Sequence, residues 1–285
     1  MEIKRIGKYA SVDSKGYLLN ASDLEANQAH WLEVVDEVKR MYLSRWQAYI
    51  ASIYIRGSIA KGLAIDKVSD VDSFAVLKAE YPNALAFTSD DEFETWEIDC
   101  EQKLVAQYPF VTGLELSLEG SKRILDRTSP YGYIIKTQSV CIYGESLSAY
   151  IQPYKIHPDI AFQSKGIHLY YQRFLDVYPT KPKDEQRLWI AWLMRRYLRT
   201  GMELVMQEEQ KVTNDLYLCY ESFIKYYPRQ EKRMRQALEL AINPHIDEAS
   251  WRFIESFGDW LLKETATKLS TWGYTQDSEG HWQLG

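Results

Sequence analysis

Asp70 and Asp72 flank a single valine, and the segment that carries them, Asp70-Val-Asp-Ser-Phe-Ala-Val-Leu77, is otherwise mostly apolar. Side chains on a strand alternate faces, so residues 70 and 72 project to the same side. Their carboxylates can then converge on one divalent ion or bridge two. Magnesium prefers hard carboxylate oxygens and commonly completes its shell with substrate phosphates. Two such ions, about 4 Å apart, stabilise both the attacking and the leaving oxygen of an in-line displacement. Upstream, a strand-like run through Ile53-Tyr-Ile55 ends at Gly57-Ser58. Gly57 permits close approach of backbone to a triphosphate. Ser58 and the amides of the following turn can donate to phosphate oxygens, and Ser69, beside Asp70, is grouped with them as a nucleotide contact. The plain alternative for Asp70 and Asp72 is a pair of solvated acids on a surface strand; the preceding strand and Gly-Ser turn favour the metal reading.

Competing motifs fail on particular residues. Gly57 and Gly62 have the glycine spacing of a P-loop, but Leu63 and Ala64 stand where Lys and Ser/Thr are required. An EF-hand fails because Phe74 and Ala75 follow Asp72 in place of a third ligand and the turn glycine. Cys100, Cys141 and Cys219 are odd in number and far apart, which suggests neither a disulfide framework nor a zinc site.

The elements that must position these residues can be read from periodicity. Residues 6–19 alternate around Ser14-Lys-Gly16 and predict a short hairpin. Ser22 is placed to cap a helix carrying Leu24, Trp31, Val34, Val35, Val38 and Met41. Strands are predicted at Ile53–Ile55, Val71–Leu77, Thr112–Leu118 and Ser139–Tyr143, with a helix over Asp90–Tyr108. After about residue 155 strand-like alternation gives way to amphipathic helices over 158–177, 183–207, 213–227, 229–242 and 247–270, punctuated by Pro179, Pro182, Pro228 and Pro244. Tyr274–Leu284 predicts a terminal hairpin. The expected fold is α+β: an N-terminal mixed-sheet domain over 1–152, then a helical-bundle domain over 153–285.

Composition narrows the class. Hydrophobic residues at 46% and charged residues at 26% are ordinary for a soluble globular protein. The net charge of −6, with basic residues interleaved with acids as in Arg229-Gln-Glu-Lys-Arg-Met-Arg235, argues against a nucleic-acid partner. MEIKRIGKYA lacks the apolar stretch of a signal peptide. The most apolar helical segment, Leu188–Met194, runs into Arg195 and Arg196, so no membrane span is expected. A cytoplasmic location fits these features.

In its strand, Gly57-Ser58 turn and Asp70-x-Asp72, the sequence resembles the DNA-polymerase-beta-like nucleotidyltransferase superfamily over roughly residues 50–120. That family usually adds a third carboxylate on a neighbouring strand. Glu115 suits it, because Leu114 and Leu116 point to one side while Glu115 and Ser117 point to the other; Glu119 is the fallback. In the resemblance Glu115 completes the metal site or takes the proton from the acceptor hydroxyl. Within the superfamily, Gly113-Leu-Glu-Leu-Ser, Cys141-Ile-Tyr-Gly144 and the segment from Asp184 to Gly201 resemble streptomycin/spectinomycin-type aminoglycoside adenylyltransferases. The chain departs from them after Thr200-Gly201: Met202–Thr213 is longer, and Asn214 stands about where a lysine is expected, with Lys211 nearby.

The resemblance implies magnesium-dependent transfer of AMP from ATP to the hydroxyl of a small molecule, with two metal ions at Asp70 and Asp72 and release of pyrophosphate. The acceptor is expected between the two domains, with Asp184 and Glu185 as acidic contacts for a cationic molecule; equally, these acids could simply favour a helix N-terminus. Nucleotidylation of a protein partner and a non-catalytic nucleotide-binding module are the alternatives.

Overall fold

The computed structural model describes residues 5–81, 88–278 and 280–285. The first four residues of the N-terminal stretch, and Glu279 in the terminal hairpin, lie outside the described residues. The chain divides into two compact units, Ser11–Lys155 and a second made of Ile156–Gly285 together with the segment up to Ala10.

In the first unit α1 covers Ala29–Trp46, β1 Ile50–Arg56, α2 Gly57–Ala60, β2 Val71–Leu77 and α3 Asp90–Gln107. Two short strands follow, β3 at Leu114–Glu115 and β4 at Leu118–Glu119, then α4 Ser121–Leu125, α5 Pro130–Thr137 and β5 Val140–Gly144. The sheet has the order β3-β2-β1-β5, with β4 also on β2. β1 runs antiparallel to β2 and β5, whereas β2 runs parallel to β3 and β4. A parallel neighbour needs a long crossover, and α3 lies within the connection from β2 to β3.

Both faces of β1 and β2 are covered, which is why these strands read as nearly continuous apolar runs. Trp31, Val34, Val38 and Tyr42 of α1 and Leu104 of α3 join Ile53, Ile55, Val71 and Ala75 in one core cluster. Burying each large side chain contributes about 1.5–3 kcal/mol. Tyr54 and Phe74, cross-strand partners, stack with ring centres 5.1 Å apart, and Tyr131 of α5 meets Phe74 edge-on.

Several expectations need revision. Ser22 does not cap α1: Leu24–Ala26 forms a separate 3-10 turn and α1 begins after Gln28. Asn27 explains the interruption, since its amide donates to Leu24 O and Ile59 O while its carbonyl accepts from Ala64 N. The strand expected over Thr112–Leu118 is instead two short pieces, and α4 and α5 were not anticipated. The hairpin expected over 6–19 reduces to the turn Asp13–Tyr17 with a Val12–Leu18 bridge.

The second unit contains α6 Phe162–Val177, α7 Lys183–Glu209, α8 Leu216–Tyr226, α9 Glu231–Ile242 and α10 Glu248–Thr271. Strands β6 Tyr274–Gln276 and β7 Trp282–Leu284 pair at the end. Helix α7 passes unbroken through Thr200-Gly201, where a side chain at residue 201 would meet Met234 and Phe223. The segment before Ser11 is tied to the turn after α7: Ala10 N donates to Val212 O, Lys8 N to Asp215 Oδ2, and Thr213 Oγ1 to Lys8 O. Glu203 of α7 is buried and accepts from Gln163 N at 3.0 Å and Ser164 N at 2.6 Å, capping the start of α6. Among the described residues no helix is long and apolar enough to cross a membrane.

Candidate active site at the end of strands 1 to 3

Strand register alone brings three charged residues level. Arg56 on β1 lies opposite Asp72 on β2, and Asp72 lies opposite Glu115 on β3. The Arg56 guanidinium bridges the two acids, with Nη2 2.5 Å from Glu115 Oε1 and 3.2 Å from Asp72 Oδ1. Burial disfavours the Arg56 charge, but Asp72 and Glu115 more than restore it. Loss of hydration raises the Glu115 carboxyl above the ordinary glutamate range; Arg56 opposes this and Asp72 reinforces it. Because 60% of the Glu115 side chain is accessible, water screens these effects.

Gly57 follows Arg56 with φ +74°, a left-handed conformation that favours glycine. A Cβ there would stand 2.2 Å from Asp72 Oδ2. The glycine therefore makes room for the Asp72 carboxylate, a role separate from the approach to a triphosphate expected from sequence. Ser58 donates to Ser69 Oγ at 3.0 Å, and Ser69 Oγ accepts from Ile65 N at 3.0 Å. Ser69 is buried and closes the loop between β1 and β2.

Asp70 is exposed and stands one residue before β2, next to the parallel pairing in which Val71 N donates to Gly113 O. Among the described residues no three Asp, Glu, His or Cys side chains converge as a ready-made metal cage. Asp72 is joined to Glu115 through Arg56. The donors nonetheless fit a hard divalent cation. Asp72 and Glu115 already close around a cationic group, and magnesium usually takes one or two carboxylates and leaves its other positions to phosphates and water.

The segment carrying Glu115 is braced from behind. Leu116 N donates to Glu97 Oε1 at 2.8 Å and Leu114 N to Glu101 Oε1 at 3.3 Å, both acceptors on α3. Acids four apart on a helix are separated by about 6 Å along its axis, close to the roughly 6.8 Å between alternate strand amides. Tyr42 accepts from Ser117 N, and Ser73 Oγ donates to Glu115 O. Leu114 and Leu116 are buried while Glu115 is exposed. Glu119, the fallback acid of the sequence analysis, is 4% exposed and pairs with Arg123 at 2.9 Å. Burial raises its carboxyl, opposed by Tyr131 and Arg123.

Asp184 and Glu185 lie in the first turn of α7, exposed, with Glu185 3.2 Å from Lys181. Lys211 packs over the Tyr9 ring, and Asn214 O accepts from Arg199. Sequence reasoning missed Arg56, Asn27 and the Glu97–Glu101 pair. The signal for the last was present in their spacing on one helix face; for Arg56 it lay in the strand register.

No family model matches the chain, and no curated protein matches it in sequence. In three dimensions it is similar to the crystal structure of spectinomycin adenyltransferase AAD(9) from Enterococcus faecialis with ATP and spectinomycin, with a TM-score of 0.52 and 12% identity. The likeness covers 82% of this chain and 99% of that one. At that identity it is a likeness of fold: the chain has a fold like that of the spectinomycin adenyltransferase.

Proposed function

We propose that this chain is a magnesium-dependent nucleotidyltransferase that moves AMP from ATP to a hydroxyl of a small-molecule acceptor. The observation that carries this reading is the level placement of Asp72 and Glu115 on adjacent strands around a cation, with Gly57 against the second Asp72 oxygen. The fold likeness to an adenyltransferase crystallised with ATP supports it.

In the reaction a bond forms between the acceptor oxygen and the α-phosphorus while the α–β phosphoanhydride bond breaks, and pyrophosphate leaves. Asp70 and Asp72 would hold the metal, which when bound neutralises charge on the phosphates. Glu115 takes the acceptor's proton. Gly57 and Ser58 seat the triphosphate, and Ser69 orients Ser58 through their hydroxyl bond. Most of the catalytic effect comes from positioning and charge neutralisation. Asp184 and Glu185 are assigned to the acceptor, which is then a hydroxyl-bearing cation.

The test is to incubate the protein with ATP, GTP, CTP or UTP, magnesium, and a panel of aminoglycosides, lincosamides and cell extract. Pyrophosphate release and product mass are followed. The expected result is acceptor-dependent pyrophosphate release with an AMP adduct on a small cationic molecule. An adduct only on a protein from the extract would replace the acceptor class. No nucleotide-dependent product with any acceptor would overturn the reading.

A further inference from the structure

We propose that Arg56 is the resident cation of this site, bridging Asp72 and Glu115 when no metal is bound, and that a divalent ion gains the Asp72 carboxylate only by displacing it, which also frees Glu115. This rests on the nucleotidyltransferase reading above. The bridge is set by the backbone: Arg56, Asp72 and Glu115 occupy one level of three adjacent strands. One guanidinium nitrogen lies 2.5 Å from Glu115 Oε1 and 3.2 Å from Asp72 Oδ1. An arginine serving only as a strand-end ion pair would need one of these acids. Arg56 takes both, and they are the acids at the centre of the assigned chemistry.

Two carboxylates facing each other repel unless a cation stands with them. Arg56 supplies that charge and, unlike lysine or histidine, cannot release its hold by losing a proton. It must move. Once displaced, it finds a new anionic partner only if a triphosphate arrives with the metal. The free protein therefore discriminates against bare divalent ions, and metal binding is coupled to nucleotide binding.

The test measures Mn2+ binding to the nucleotide-free protein by calorimetry and by the paramagnetic resonance of free Mn2+, for wild type, Arg56→Gln and Arg56→Lys. Arg56→Gln retains polarity and much of the volume without the charge. It is expected to bind Mn2+ about ten- to hundredfold more tightly than wild type, the change equivalent to losing one charge-assisted hydrogen bond. Arg56→Lys keeps the charge on a shorter side chain whose ammonium reaches the two acids less fully, and is expected to fall between them. Unchanged or weaker Mn2+ binding by Arg56→Gln would overturn the proposal, since an arginine that merely braces the strands would take metal affinity down with it. Should Arg56→Gln fail to fold by circular dichroism, Arg56→Lys decides: several-fold tighter binding supports the proposal and equal binding overturns it. Wild type that binds Mn2+ with ATP while the variants match it for Mn2+ alone overturns only the role of Arg56. No Mn2+ binding by any form, even with ATP, overturns the function as well.

Discussion

Gly57→Ala tests whether the Asp72 carboxylate must sit where it does. The added methyl would lie 2.2 Å from Asp72 Oδ2, and ordinary contact begins at 3.4 Å. The carboxylate must therefore retreat by about 1.2 Å, and a misplacement of about 1 Å in a catalytic group can cost about 10²-fold in rate. The backbone adds a second cost, because φ +74° at residue 57 is left-handed and carries about 1–2 kcal/mol for an alanine. That loss lowers the melting temperature by roughly 2–8 °C. Gly16→Ala separates the two effects: φ there is +79°, with nothing within 4 Å of the added methyl. Both variants should melt lower by similar amounts, and only Gly57→Ala should lose turnover, measured as pyrophosphate release at saturating ATP and magnesium. A Gly57→Ala variant with turnover within about twofold of wild type would refute the claim that Asp72 is held in place for chemistry.

Asp70→Asn and Asp72→Asn should each reduce transfer by about 10³-fold or more, because an amide is a poor magnesium ligand and the lost charge stabilisation amounts to several kcal/mol; near-normal pyrophosphate release at saturating magnesium would contradict the assignment. Glu115→Gln should lower turnover by about 10²–10⁴-fold while leaving ATP affinity by calorimetry nearly intact, as expected of a proton acceptor. In the helical unit, burial pushes the Glu203 carboxyl up to about 7, against the lowering effect of the Gln163 and Ser164 amides. Between the ordinary glutamate value near 4.5 and 7 the folded chain keeps a proton the unfolded chain has lost. Stability should therefore fall as pH rises through that window, by on the order of 3 kcal/mol. Urea midpoints from pH 4.5 to 8 should show this slope in wild type and a flatter one in Glu203→Gln; identical slopes would count against it.

The parts of the fold legible in the sequence are those where burial imposes a period. Val71–Leu77 is found at its expected bounds because both faces are packed, and Asp90–Gln107 begins with the acids and the Ser89–Glu92 capping box that favour a helix start. Elements of a turn or two were not legible: Ser121–Leu125 is too short for periodicity to register, and Leu114–Glu119 is broken into two pieces. Asp72, Gly57 and Ser58 stood out because their types and spacing suit phosphate and metal, and Glu115 through the family resemblance. Arg56 did not, since an arginine at a strand end is ordinarily a solvated charge. Only the pairing of β1 with β2, set by partners far apart in sequence, places it against Asp72. The buried pairing of Glu119 likewise depends on Arg123 and Tyr131, which the sequence reading left in an unassigned stretch.

The first unit is one unbroken stretch of chain, whereas the second is assembled from the segment before Ser11 and everything after Lys155. During synthesis the strands and helices that carry Arg56, Asp72 and Glu115 leave the ribosome in one continuous stretch, together with the helices that share their core cluster. The opening segment must wait for Val212, Thr213 and Asp215, its partners beyond α7, to be translated. At about 5–20 residues per second, that delay is on the order of ten seconds or more, long enough for the sheet to close first. Removing the helical half by a single cut after Lys155 would leave that opening segment stranded, so a clean separation of the two units requires trimming at both ends.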